Sequence, residues 1–354
     1  MMTVRSFPAR VVRQEWAPLA VTALVDPVGE TTDAVGTAAD DTAYEVAPPA
    51  LYVYKQQDED GTHTGLVCEV TVQAFMDGRV RGHEAVQPAR VDALVRHHAA
   101  TSGPPALVTL LHHAGPAFTH LLETTLDTAP ILDFPGPDGV RQTVWRVPHG
   151  AATTAVTDEL RRADHYIADG HHRVAAALEE WRLSGKPPEA GVLCVIHPME
   201  DLRVSAFHRL VTGPVEATEL LERLRPGFRV SPVDRAPDPG PRSFGLYVGG
   251  SWYDVTYDRQ DDDPDRLDIV VLEDRLLARA GEPGPPYDLQ IAPTGTSVDD
   301  LARERDADGG ALFTLAPPAL AVLTSLADAG EVMPPKTTYF APKPCTGIFL
   351  RLSP

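Results

Sequence analysis

Short apolar runs and stretches of helical spacing interleave along most of this chain, and from residue 50 onward they resolve into separate elements. Leu51-Tyr52-Val53-Tyr54 and Thr64 to Phe75 read as two strands joined by the polar turn Asp58-Glu59-Asp60-Gly61, a hairpin by its turn chemistry. Pro88 to Ala100 reads as a helix, with Pro88 suited to its first turn and Val91, Leu94 and Val95 on one face. Ala106 to Leu111 is a strand of the buried type, Ala117 to Leu126 a helix, Val140 to Val147 a strand, and a short helix starts at Thr157. Tyr166-Ile167 begins another β-prone run, and beyond Gly170 the residues Val174, Leu178 and Trp181 share a helical face.

Further on, Val192 to Ile196 and Leu202 to Val211 read as strands and Val215 to Leu224 as a helix. Ser243 to Tyr257 reads as a hairpin turned at Gly249-Gly250. Leu267 to Ala280 has a strong helical pattern that Gly281 to Pro286 breaks. Val298 to Arg305, Ala311 to Leu315 and Pro318 to Ala329 follow as helix, strand and helix, and residues 330–340 read as irregular. Residues 1–49 are weakly patterned, with Val46-Ala47-Pro48-Pro49 as an extended connector. The Pro-rich stretch 236–241 is the linker candidate. The expected organisation is therefore a segment 1–49, a core 50–235 and a C-terminal α/β region 236–354. Strands and helices mix without a regular βαβ series, so the expected class is α+β.

Composition narrows the class of function. A net charge of −19, spread over the chain, weighs against a general phosphate-backbone binder, and no nucleic-acid partner is expected. No apolar run approaches the roughly 18–20 residues of a membrane span, and the first 13 residues lack a secretory pattern. Cys68, Cys194 and Cys345 are far apart and odd in number, which reads as buried free thiols in a reducing, cytoplasmic setting. There is no Gly-x-Ser-x-Gly elbow, Walker loop or Gly-x-Gly-x-x-Gly fingerprint, so the familiar hydrolase, P-loop and Rossmann chemistries are disfavoured.

The densest candidate chemistry is Asp169-Gly170-His171-His172-Arg173. A strand end presents a carboxylate, a glycine permits a tight turn with close backbone approach, and a helix start presents amide donors, two imidazoles and a guanidinium. Such a start attracts anions, and a carboxylate beside it is what phosphoryl transfer needs. The alternative is a solvated acidic turn. Zinc binding by the adjacent histidines is disfavoured, because neighbouring helical positions point about 100° apart.

Four stretches together resemble one family. Tyr166 to Arg173 resembles its "YIADGHHR" signature and Gly82-His83-Glu84 its "HE" motif. Phe207-His208-Arg209-Leu210 resembles its "HR-L" motif, and residues 330–340 its terminal "GEVMPPKSTYF". The family is domain-of-unknown-function family 1015, placed near the ParB/sulfiredoxin-like superfamily. Its "PPYD" and "NP-SFL" patterns do not occur before residue 50, although Pro285-Pro286-Tyr287-Asp288 repeats the first in another place. The resemblance implies a ParB/sulfiredoxin-like core with a mixed sheet, extended by the C-terminal α/β elements that complete the site.

It also implies a small-molecule kinase similar to free-serine kinases. Asp169 would be the catalytic base and a magnesium ligand, and Gly170, His171, His172 and Arg173 the phosphate cradle. The donor would be ATP, ADP or pyrophosphate, and the acceptor serine or a similar hydroxy amino acid. His83-Glu84 would supply a substrate contact and a second catalytic acid/base or magnesium-binding carboxylate, or else a loop ion pair with Arg79, Arg81 or Arg90. His208 and Arg209 would join the anion site or form a structural salt bridge. Lys336 and Tyr339 would contact substrate or pack the tail. The competing class is a non-catalytic nucleotide-binding switch of the ParB type. His97-His98 and His112-His113 read as parts of a helix face and a strand end.

Overall fold

The computed structural model describes residues 4–23, 41–101, 106–225, 227–257, 267–273 and 288–351. Contacts divide the chain into two units. One comprises Met1–Arg203, Ala327–Val332 and Phe340–Pro354; the other comprises Val204–Leu326 and Met333–Tyr339. The Pro-rich stretch 236–241 lies within the second unit. The class is α+β, with parallel and antiparallel strands mixed in one large sheet.

The first unit is built on an 11-stranded sheet. Its strands are β1 (Val4–Arg5), β2 (Phe7–Val12), β3 (Tyr44–Gln57), β4 (Thr62–Thr71), β5 (Val80–Arg81), β6 (Val108–His112), β7 (Leu132–Pro135), β8 (Arg141–Val147), β9 (His165–Asp169), β10 (Gly191–Pro198) and a last strand Phe349–Arg351. The main order is last strand, β2, β3, β4, β10, β6, β9, β5. β10 and β6 run parallel, as do β5 and β9; β6 and β9 are antiparallel.

Period-2 alternation explains why the central strands read as unbroken apolar runs. On β10, Val192, Cys194 and Ile196 face one core while Leu193 and Val195 face the other. The first core is closed by Val72, Ala74 and Phe75 of helix α2, Phe118 and Leu121 of α4, Val156 and Leu160 of α5, and Val174 of α6. These helices span Val72–Met76, Pro116–Leu126, Ala151–Leu160 and His171–Leu183; α1 is Ala17–Ala20 and α3 is Pro88–Thr101. The second core is closed by Phe7, Ala9 and Val11 of β2, together with Cys345, Ile348 and Phe349. Each Val, Leu, Ile or Phe among them that is taken from water contributes roughly 1.5–3 kcal/mol. The three cysteines are buried and free, as expected.

Several local expectations are corrected. Residues 1–49 hold β1, β2 and α1, and β3 already starts at Tyr44 and runs through the expected connector. Pro48 and Pro49 are tolerated there because the ladder shifts register between Phe7↔Ala50 and Ala9↔Ala47, where missing amide donors cost least. The strand expected to Phe75 ends at Thr71, and Val72–Met76 is helical. The helix expected from Thr157 begins six residues earlier, at Ala151. The run Leu202 to Val211 splits into strands Arg203–Ala206 and Arg209–Thr212, and Thr338–Ala341 is a strand rather than irregular. Within Leu267 to Ala280 the described helix is Asp268–Val271; the remainder from 274, and residues 281–287, lie outside the described residues.

The second unit carries a 6-stranded antiparallel sheet in the order Arg229–Val233, Ser251–Thr256, Ser243–Val248, Ala311–Leu315, Arg209–Thr212, Asp288–Ile291. Its expected hairpin turns at Gly249 and Gly250, whose φ values of 58° and 75° suit a type I′ turn. Among the described residues, no helix is long and apolar enough to cross a membrane.

Candidate functional site

β9 delivers Asp169 to its own C-terminal end, and the chain then turns at once into α6. Gly170 is the N-cap, with φ 104°, in the left-handed region that L side chains avoid. A Cβ there would also stand 3.1 Å from the Arg173 guanidinium. No side chain caps this helix, so the first turn keeps its positive dipole end beside Asp169.

The Asp169 carboxylate is held from two sides. Arg173, one turn along the helix, pairs with Oδ2 and also donates to the carbonyl of Leu107. Lys343 places Nζ 2.5 Å from Oδ1. Burial lowers the Arg90 guanidinium of α3 from its ordinary value, an effect the nearby Asp169 charge partly offsets. Burial alone would raise the Asp169 carboxyl, but Lys343 and Arg173 outweigh it and hold the group far below the usual carboxylate range. Three cations around one carboxylate leave a local positive excess on a chain of net charge −19.

The two histidines are placed differently from a simple phosphate cradle. His171 Nε2 accepts the backbone N–H of His83 at 3.2 Å, and His172 Nε2 accepts that of Gln87 at 3.0 Å. An imidazole accepting at Nε2 and neutral carries its proton on Nδ1. Together they pin the loop between β5 and α3, which carries Glu84, onto the helix start. Burial pushes His171 down to about 4, an effect Asp169 partly offsets, so it is neutral near pH 7. His83 is fully buried, edge-on to the His171 ring at 4.5 Å, and burial holds it far below its ordinary value. Gly82 makes this approach possible, since a Cβ there would sit 3.0 Å from His171 Cδ2.

His83, Glu84 and residues 169–173 thus belong to one unit, with His83 in direct contact with the turn. The other sequence candidates, His208, Arg209, Lys336 and Tyr339, belong to the second unit. There, His208 Nδ1 accepts the Leu315 N–H at 3.2 Å. Arg209 is 2% exposed and donates to Glu273 at 3.1 Å, to the Phe207 carbonyl at 3.0 Å and to the Lys336 carbonyl at 3.3 Å. Lys336 Nζ lies 5.3 Å from the Phe207 ring centroid, and the Tyr339 ring meets the same ring edge-on at 5.7 Å. The "HR-L" and terminal motifs therefore pack on each other.

Sequence reasoning missed Lys343 altogether and entered Arg90 only as an ion-pair partner for the His83-Glu84 loop. One signal was present: the chain has only four lysines, and Lys343 stands between two prolines just past the terminal motif. Among the described residues, no group of three or more His, Cys, Asp or Glu is placed to hold a metal ion. With both Asp169 oxygens facing cations, the turn does not fit a resident magnesium ion.

No curated protein matches the chain at a significant level. Among solved structures it is similar to a mutant free serine kinase in complex with AMP, at 16% identity, 81% coverage of this chain, 91% of that chain and a TM-score of 0.43. SbnI with a C-terminal truncation from Staphylococcus aureus follows at 12% identity, 79% and 85% coverage and a TM-score of 0.41. A conserved hypothetical protein from Pyrococcus furiosus stands at 15% identity, 81% and 94% coverage and 0.40. The sequence family described as protein of unknown function (DUF1015) matches residues 39–274, more than half of the chain, and the chain belongs to that family.

Proposed function

We propose that this chain is a small-molecule phosphotransferase whose anion site is the turn at residues 169–173. The observation that carries the reading is the cation cluster of Arg173, Lys343 and Arg90 around Asp169 at an uncapped helix start. Phosphoryl transfer asks mainly for positioning and charge stabilisation, and this cluster supplies both. The motif resemblance adds the substrate class: a nucleotide (ATP or ADP) or pyrophosphate as donor, and serine or a similar hydroxy amino acid as acceptor.

In this reading the donor's phosphate oxygens lie against the α6 amides and Arg173. Asp169 takes the proton of the acceptor hydroxyl as its oxygen bonds to phosphorus and the donor's bridging P–O bond breaks. Glu84, on the loop that His171 and His172 pin, is the second carboxylate available to the acceptor. The two histidines serve chiefly to position that loop. No step is assigned to magnesium, which would enter on the donor's phosphates.

One observation favours a second reading. A carboxylate neutralised by two cations is a poor base but a good organiser of a binding site, as a non-catalytic nucleotide-binding switch requires. The two separate in one assay. The protein is incubated with ATP, ADP or pyrophosphate, Mg²⁺ and a panel of hydroxy amino acids, and products are read by mass spectrometry. A phosphorylated acceptor, with Asp169→Asn lowering turnover about 10²–10⁴-fold, supports the kinase. Nucleotide binding without turnover of any acceptor supports the switch.

A further inference from the structure

Asp169 has two close cationic partners, and they are not equivalent. Arg173 is anchored twice, to Asp169 and to the Leu107 carbonyl, and its side chain is 13% exposed. Lys343 reaches Asp169 from a fixed base on a long stem, and its side chain is 27% exposed. The base is held firmly. The Lys343 carbonyl accepts from Gln56 Nε2 at 2.9 Å, and Gln56 is 1% exposed. Two residues on, the Cys345 N–H donates to the Tyr54 hydroxyl at 3.2 Å, and that hydroxyl donates to Gln142. Tyr54 and Gln142 are fully buried on β3 and β8. The backbone around Lys343 is therefore a fixed pivot, while its ammonium is a compact charge on four rotatable bonds that strips from one oxyanion to another without reshaping the site.

We propose that Lys343 is an exchangeable lock on Asp169: an incoming phosphate group draws the ammonium onto itself, leaving Asp169 free to receive the acceptor's proton. The inference rests on the anion-site reading above and extends it to a residue outside the four motifs. In the loaded site Lys343 touches the phosphate directly and forms no covalent bond. It reconciles the two demands on Asp169, which must be quiet in the empty site and basic in the loaded one. The groups facing Asp169 are Lys343, Arg173 and His171, with Arg90 close by. His171 is neutral near pH 7 and Arg173 keeps its second anchor, so Lys343 is the charge whose departure changes Asp169 most.

The test uses the full chain labelled with ¹³C at the aspartate carboxyls, the Asp169 signal being assigned with Asp169→Asn. Inorganic pyrophosphate is the probe, its affinity measured by calorimetry, and folding is checked by circular dichroism. In the wild type, saturating pyrophosphate is expected to move the Asp169 titration to higher pH. In Lys343→Met that titration already lies higher without ligand, pyrophosphate moves it less, and affinity falls roughly tenfold. Lys343→Arg restores most of the affinity; Lys343→Gln carries the same readouts if Lys343→Met does not fold. Pyrophosphate binding that leaves the wild-type Asp169 titration in place overturns the lock alone. An Asp169 titration unchanged by Lys343→Met does the same. A wild-type chain that binds neither pyrophosphate nor ADP overturns the anion-site reading together with the lock.

Discussion

His112 and His165 face each other across β6 and β9, their rings stacked at 5.4 Å with planes 2° apart, and both are fully buried. Among the described residues, neither His112 nitrogen nor His165 Nε2 has a hydrogen-bond partner. Burial, reinforced by neighbouring histidines, pushes His112 down to about 3, and burial pushes His165 down to about 4, from an ordinary 6.5. The unfolded chain therefore binds protons at higher pH than the folded one. Stability is unaffected by these groups above pH 6.5 and falls as pH drops from 6.5 toward 4. Each group contributes roughly 1.4 kcal/mol per pH unit in that window. His112→Phe keeps a ring against Phe118 and removes two unsatisfied nitrogens. Urea titrations are expected to show a shallower loss of stability between pH 6 and 4, with little change at pH 7.5; an unchanged slope would remove His112 as the cause. Gly170→Ala tests the turn in the same way. Its left-handed φ and the approach to Arg173 predict a loss of about 1–2 kcal/mol in urea unfolding, with weaker pyrophosphate binding beside it.

At the scale of elements, legibility followed burial on both faces. β4, β10 and β6 announce themselves as apolar runs because the sheet is covered on each side. β2 does not: Pro8 and Arg10 interrupt its pattern, and its partner β3 lies more than thirty residues away, so its pairing is a tertiary fact. Val72–Met76 is apolar enough for strand or helix, and local periodicity cannot choose between them over five residues. The strand Arg209–Thr212 shows a further limit, since the sequence left Arg209 open between ligand binding and structure. Here its guanidinium ties Phe207, Glu273 and the Lys336 carbonyl together in the second unit. Arg209→Ala is expected to cost about 2–3 kcal/mol in thermal or urea unfolding, because it strands the Phe207 and Lys336 carbonyls, while the partly exposed Glu273 carboxylate can turn to water. A loss under 1 kcal/mol would argue that these bonds hold little, and would return Arg209 to the candidates for ligand binding.

For the whole molecule, the charge balance sets what approaches it. With −19 overall and Arg173, Lys343 and Arg90 gathered around Asp169, the chain is expected to take small polyanions and to reject extended ones. Fluorescence anisotropy with a labelled 20-base-pair duplex at about 150 mM salt should show no binding at micromolar protein; tight, salt-sensitive binding would contradict this. The turn itself was legible because its residues are contiguous. The lysine facing it was not, because 174 residues separate Lys343 from Asp169 and no local pattern spans that distance. That separation has a temporal meaning. Strand, glycine and helix start are neighbours in sequence and can meet early, whereas joining Lys343 to them closes a loop of 174 residues and comes late. A growing polypeptide would thus pair Asp169 with Arg173 as soon as the helix start forms and acquire its second close counter-charge, Lys343, only when the segment after residue 340 docks. The last counter-charge of the site would then arrive with the last strand of the sheet that bears it.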